Sequence, residues 1–371
     1  MLALLSRLAR RGRQNCDSSR NFLFSGRRHV GQPWASEADV PSAAQRSTAK
    51  SNCHRVLATG IVVGVALIMA SGPCLSAAEG GAAGLRITRD NSTLSIYDGH
   101  RLVLRYRYTD VPMKPYVDEL VSPAGVQVLR DSPSDHKHHH ALMYAVAVDK
   151  VDFWAEFNAQ YGKELHRSLG DVKATVDDGV ARAGFVQQLD WVGPASPQPL
   201  LVERRAIDVF CASDLGATLV QWRCGLQTPA GKDSMVLGGS HYFGLGMRFL
   251  TSMDRGGHFF NADDKPGEVI HGDEQLTSTK WYAYTAKADG RPVTVALFDH
   301  PGNLRHPAKI FTMNTPFAYL SATLNLWKES ITVKAGHPLN LCYGVALWDG
   351  AVDKATVEKL YQRWLKLSKI R

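Results

Sequence analysis

From Leu85 onward the chain alternates apolar and polar residues with a period of two, the pattern of strands that bury one face in a core. LRITRD (Leu85–Asp90) and STLSIYDGHRLVLRYRY (Ser92–Tyr108) open the series, and Asp98-Gly99 inside the second predicts a tight hairpin. VQVLRD, ALMYAVAVD, VDFWAEF, DVKATVDD, VARAGFVQQLDWV and LLVERRAIDVFCA continue it. ATLVQWRCGLQT, YFGLGMRFL, KWYAYTA, PVTVALFDH, FAYLSATLNL and LNLCYGVALW complete it. Gly, Pro, Asn and Asp separate the segments at short, regular intervals. The spacing predicts an all-β fold, a large antiparallel β-sandwich, rather than βαβ units. The period changes only near the C-terminus. Val357, Leu360, Tyr361, Trp364 and Leu365 share one helical face, with Asp349 or Asp353 placed to cap the start. That stripe predicts one C-terminal helix packed on the sandwich.

No stretch between Leu85 and Arg371 has the composition of a linker, so residues 85–371 read as a single domain. Its longest turn-rich interval, Met253 to Gln275, reads as a functional loop or lid. The chain contains no GxGxxG, no phosphate-binding loop and no internal repeat.

Charge changes the picture at the N-terminus. The formal charge of +8 sits almost entirely in residues 1–55, which hold ten Lys/Arg against three acids; the rest of the chain holds 33 against 32. A near-neutral body lacks the basic footprint of a nucleic-acid binder, so no nucleic-acid partner is expected. Residues 1–55 read as a basic, disordered leader. Residues 56–78 combine the apolar run Val56 to Ala70 with the small-residue stretch SGPCLSAAEGG, as a signal peptide would. Fifteen apolar residues reach about 22 Å as a helix, short of a ~30 Å hydrocarbon core. Cleavage is therefore expected near Ala77 or Ala78, with a single membrane anchor as the alternative. Either way the body is exported, to the periplasm or cell surface, or stays anchored at the inner membrane. Contact with a membrane is expected only through this segment if it stays uncleaved. Beyond it only Cys211, Cys224 and Cys342 remain, enough for one disulfide and too few for a thiolate metal site.

Candidate chemistry concentrates in DHKHHH (Asp135–His140), which places four histidines within five residues. If the extended conformation starts at His136, then His136, His138 and His140 share one face, with Lys137 and His139 opposite. Imidazoles at that spacing suit one divalent metal ion, with His136 and His138 as ligands and a further donor from a distant segment. They equally suit proton transfer near neutral pH, or hydrogen bonding to loop carbonyls at a strand entrance.

Several segments in order carry a resemblance. DHKHHHALMYA, VDFW, the separate His166, GLGMRF, DHPGN (Asp299–Asn303) and LCYGVALWDG resemble the exported "methane oxygenase PmoA-like" family over roughly Leu85 to Arg371. That family usually reads Asp-His-x-His-His-Arg-Gly-Leu-Trp-Phe; here His140 replaces the Arg, Ala141 the Gly, and Met143-Tyr144 the Trp-Phe. His140 is therefore the histidine least expected to share a family role. Methane oxidation is excluded despite the name, because a membrane monooxygenase subunit needs several apolar spans of about 20 residues. The resemblance implies a galactose-mutarotase-like supersandwich and a carbohydrate ligand.

On that expectation, aromatic side chains would cover a sugar's apolar face and polar ones its hydroxyls. Trp154, Tyr242, Trp281 and Trp327 are candidates for stacking. Asp135, His166, His241, Asp299, Asn303 and His306 are candidates for substrate binding, with Glu156 a weaker one. His136, His138, His139, His300 and Glu329 are the candidate catalytic residues, Glu329 as an isolated general base. DHKHHH and DHPGN are expected to face one cavity. The function expected is proton transfer on a sugar, by an epimerase, a lyase or a glycoside-cleaving enzyme. A non-catalytic carbohydrate-binding envelope protein and a mononuclear metalloenzyme are the alternatives.

Overall fold

The computed structural model describes residues 79–82 and 84–368; the basic leader and the apolar run expected to direct export lie outside them. Every strand pairing is antiparallel. An eleven-stranded sheet runs, in spatial order, Glu79–Ala82, Leu85–Arg89, Thr93–Asp98, Arg101–Arg107, Tyr116–Leu120, Leu142–Ala145, Gly244–Arg248, Tyr319–Thr323, Lys309–Met313, Gln275–Ser278 and Glu268–Val269. An eight-stranded sheet runs His258–Asn261, Trp281–Ala288, Arg291–Asp299, Leu339–Asp349, Thr218–Gln227, Pro199–Cys211, Val180–Val192 and Lys163–Asp177. Ile331–Lys334, Ser234–Gly238, Ala147–Val148 and Val151–Asp152 form a small third sheet.

The alternation read from the sequence is what lets the large sheets pack face to face. Along Thr218–Gln227, Val220, Trp222, Cys224 and Leu226 enter one core, while Leu219 faces the other way. That core joins both large sheets: Tyr106 of the eleven-stranded sheet lies 4.9 Å from Phe185 and 6.4 Å from Trp222 of the eight-stranded one. The outer face of the eight-stranded sheet is covered by the helix Lys354–Leu367, through Val357, Leu360, Tyr361, Trp364 and Leu367. Asp353 caps it, accepting a hydrogen bond from the Thr356 amide at 2.8 Å. The expected hairpin forms, with Gly99 at φ 59° between Thr93–Asp98 and Arg101–Arg107.

Three expectations are corrected. VQVLRD is not a continuous strand: Gln127, Leu129 and Asp131 make isolated bridges to Val121, Phe249 and His140. VDFWAEF is strand only at Val151–Asp152, after which the Asp152 carboxylate accepts from the Trp154 amide at 2.6 Å and turns the chain. Met253 to Gln275 is not a free lid. It places His258–Asn261 at the edge of the eight-stranded sheet and Glu268–Val269 at the edge of the eleven-stranded one, so it passes from one sheet to the other and ends beside Glu274.

A charged group lies within the sandwich. Arg205 is fully buried, pairs with Glu203 at 2.7 Å and Glu164 at 2.8 Å, and donates to the Pro115 carbonyl at 3.0 Å. Pairing and hydrogen bonding together make such a burial tolerable.

Candidate functional site

DHKHHH does not run as a strand. The His136 amide donates to the Pro133 carbonyl at 3.0 Å and the His139 amide to the His136 carbonyl at 2.9 Å, so the segment folds into two successive turns. Ala141 follows at φ 48°, in the left-handed region that favours glycine, which the family described above usually carries there. The period-two face is therefore replaced by a different grouping. His136, His138 and His139 converge, with ring centroids 5.7 Å (136–138), 4.7 Å (136–139) and 4.6 Å (138–139) apart.

His140 points elsewhere. Its ring stacks on Tyr116 at 4.5 Å, with Nδ1 2.8 Å from Asp131 and Nε2 2.9 Å from Glu156. Burial opposes its charge, but hydrogen bonds to Asp131 and Glu156 outweigh burial and raise its pKa. Lys114, fully buried, pairs with Glu156 and donates to the Trp154 carbonyl at 3.0 Å. This chain of ion pairs fastens the histidine turn to the segment that carries Trp154.

The electrostatics of the three converging imidazoles differ. Burial, then the positive charge of Lys114, pushes His138 down to about 4. Burial, then the neighbouring His138 and His136, holds His139 well below the ordinary histidine value. Both are neutral at pH 7. His136 instead has a carboxylate at hand, its Nδ1 3.0 Å from Asp135 Oδ2. The same oxygen lies 3.3 Å from the guanidinium of Arg248, a side chain 1% exposed. Burial resists the Asp135 charge, but His136 and Arg248 together lower its pKa.

The strands supply the floor. Arg248 and Tyr319 are directly paired neighbours on Gly244–Arg248 and Tyr319–Thr323, and the Arg248 guanidinium lies 3.5 Å over Phe317. Phe317 in turn meets His136 at 4.7 Å and His139 at 5.5 Å. The GLGMRF segment owes its second glycine to this floor. A Cβ at Gly246 would stand 2.2 Å from Tyr319 Oη and 3.1 Å from the Trp154 ring. Only glycine leaves room for those two rings to lie across the strand.

From Tyr319 the ring contacts continue. Tyr319 meets His139 at 5.1 Å, Trp154 at 6.1 Å and Phe311 at 6.3 Å. Phe311 lies 5.5 Å from His241, which packs against Tyr242 at 5.0 Å and Trp327 at 5.7 Å. His241 Nε2 is 3.1 Å from Glu274. A strip of aromatic rings thus crosses the eleven-stranded sheet, with a His–carboxylate pair at each end: His136–Asp135 and His241–Glu274. At the first end Phe157, 69% exposed, meets His138 at 4.9 Å.

The other candidates fall outside the strip. Asp299 accepts from Asn303 at 2.7 Å and the Ala308 amide at 2.8 Å, and lies 2.6 Å from His306 Nδ1. Asn303 exchanges two 2.7 Å hydrogen bonds with the Cys342 backbone, and His300 lies 3.1 Å from the Ser368 hydroxyl. Asp299 and Asn303 spend their polar groups on bracing a turn against Leu339–Asp349. His166 lies 2.9 Å from Gln187 on the edge strand Lys163–Asp177, and burial lowers its pKa. Trp281 is core, donating to Glu358 at 2.7 Å beneath the helix. Trp154 does belong to the strip through Tyr319, but it is buried against Phe243 at 5.1 Å, so its face is already used. Glu329 sits in a bend, its side chain 75% exposed and 3.3 Å from Arg305.

Glu274, Arg248, Phe157, Phe317 and Tyr319 are site residues that spacing did not reveal; sheet order brings them in from far along the chain. His138 Nδ1 and His139 Nδ1 are buried without hydrogen-bond partners, a donor state a metal could use. However, among the described residues no three His, Cys, Asp or Glu side chains are placed to hold one ion. Those two imidazoles with His136 do not fit a metal as arranged. Nor is any helix among the described residues long and apolar enough to cross a membrane.

The model of one protein family matches residues 93–362. The chain belongs to DUF6807, a family of unknown function. No curated protein sequence is significantly similar to it. Among solved structures, this DUF6807 chain is similar to an α-galactosidase from Lactobacillus brevis, with 6% identity, 75% of this chain and 41% of that one covered, and a TM-score of 0.43. It is similar to a second α-galactosidase, from Geobacillus stearothermophilus, with 10% identity, 74% and 42% covered, and a TM-score of 0.38. A proposed mutarotase from Salmonella typhimurium shares 11% identity over 74% of this chain and 97% of that one, with a TM-score of 0.34. The DUF6807 chain spans about two-fifths of the α-galactosidases' length. The assignment to antiparallel sandwiches rests on its own sheets.

Proposed function

We propose that this DUF6807 chain is an exported, carbohydrate-active enzyme that transfers a proton at a sugar carbon or oxygen, in an epimerisation, an elimination or a glycoside cleavage. The observation that carries the reading is His136, oriented by Asp135 beside two neutral imidazoles, at the end of an aromatic strip with an exposed ring at its rim. A carboxylate on Nδ1 fixes the ring's tautomer and orientation for proton transfer at Nε2. His136 is thus the acid–base group. His138 and His139 have other work: a histidine titrating at about 4 is not protonated at pH 7 and cannot serve there as the proton donor. Neutral imidazoles instead give and accept hydrogen bonds with hydroxyls. Aromatic rings suit the apolar face of a pyranose. The methane chemistry in the name of the similar family has no part in this proposal.

A parallel screen of turnover and binding across oligosaccharides and oxidised glycosides tests the reading. Product from at least one bound saccharide is expected. Binding without turnover on every ligand would leave the second reading, a non-catalytic carbohydrate-binding protein, which the low basicity of His138 and His139 favours. Export rests on residues 56–78; the mature protein from a native host is expected to begin near Ala78 or Glu79. A mature form that keeps Val56 to Ala70 would overturn cleavage.

A further inference from the structure

Resting on the reading of the ligand as a carbohydrate, we infer that the site takes a sugar chain of two or more units, gripped at one end by Phe157 and at the other by Trp327. Among the described residues seven large hydrophobic side chains stand exposed, and these two are the aromatic ones, 69% and 39% exposed. An exposed aromatic ring leaves apolar area in water that a ligand can cover. Chance would scatter two such rings over the surface. Instead each abuts a histidine of the strip: Phe157 meets His138 at 4.9 Å and Trp327 meets His241 at 5.7 Å.

The separation of the two platforms sets the size of the ligand. The histidine turn meets Arg248 through Asp135, while His241 stands just before Gly244, at the other end of the strand Gly244–Arg248. Four steps along that strand at ~3.4 Å each are roughly 14 Å, more than one pyranose covers. Polar groups line the same path at intervals. Asp135 and His136 stand at the first platform, and His241 and Glu274 at the second, all with part of their side chains open to solvent. Apolar faces alternating with hydrogen-bonding edges match the amphipathy of successive sugar units. The acid–base pair His136–Asp135 lies at the Phe157 end, so bond-making or bond-breaking falls near one terminus of the bound chain, and the Trp327 end serves affinity.

The test is a length series. Cello-, xylo- and manno-oligosaccharides of one to six units, with a glycan array to widen the linkages, are titrated against wild type, Phe157→Ala and Trp327→Ala. Both rings are on the surface, and an unchanged melting temperature would show that the variants fold. Affinity is expected to rise with length and then level off. Trp327→Ala should weaken the longest ligand by about threefold to tenfold, the worth of one aromatic contact, and leave a monosaccharide unaffected. Phe157→Ala should weaken both. A monosaccharide binding as tightly as a hexasaccharide, or Trp327→Ala changing no affinity at any length, would overturn the inference while the carbohydrate reading stood. Binding of no saccharide of any length or linkage would overturn both.

Discussion

Replacing Gly246 by alanine tests the floor of the site with one methyl group. The new Cβ would stand 2.2 Å from Tyr319 Oη, 2.9 Å from Tyr319 Cζ and 3.1 Å from Trp154. The strand cannot retreat, because Gly246 pairs with Met143 on one side and Ser321 on the other. Relief must come from Tyr319, which is fully buried between Trp154, His139 and Phe311. Overpacking of this kind costs about 1–3 kcal/mol, which lowers the melting temperature by roughly 2–5 °C in a domain of this size. Tyr319→Phe alone should be nearly neutral, since the hydroxyl is buried without a hydrogen-bond partner among the described residues. The double variant removes the atom at 2.2 Å and should recover at least about 1 kcal/mol of the loss, read as coupling in a double-mutant cycle by urea unfolding. Strict additivity, or a Gly246→Ala protein as stable as wild type, would refute this packing.

Acid should destabilise the fold through His138. Its pKa is about 4 when folded against 6.5 unfolded, so between these values the unfolded chain binds the extra proton and stability falls as pH falls. The full effect approaches about 3 kcal/mol; His138→Gln should flatten the dependence of melting temperature on pH between 6.5 and 4, and an unchanged slope would contradict it. Elemental analysis of tag-free protein should find well under one equivalent of any transition metal, with activity indifferent to chelator. One tightly held equivalent, lost in His138→Ala, would contradict the donor placement described here.

The sandwich was legible because its strands are long and carry stretches of period two. Buried and part-exposed residues alternate from Phe185 to Val192 and from Leu201 to Arg205. VQVLRD misled for a physical reason: Val126, Val128 and Leu129 are buried, yet they fill gaps between sheets rather than pair along a ladder. In DHKHHH the turn signals are Pro133, Ser134 and Asp135, which all favour turns; the spacing of the histidines suits an extended face equally and does not distinguish the two. His140 was set apart on its departure from the family pattern, and the structure gives the cause in its ion pairs with Asp131 and Glu156. A bracing role for Asp299 and Asn303 was legible in DHPGN, but its partner was not, because Cys342, the backbone Asn303 holds, lies 39 residues away. The strip itself had no signal in spacing. Its members come from strands neighbouring in space and remote in sequence.

The most direct test of the central claim is the turnover of His136→Ala on a saccharide that the wild type converts, with affinity measured on the same protein. Loss of a positioned acid–base group lowers rate by about 10²–10⁴-fold. The account predicts a fall in kcat of that size with Kd for the saccharide changed only a few-fold, because the rings of the strip remain. A His136→Ala enzyme that keeps kcat within a few-fold of wild type would contradict it.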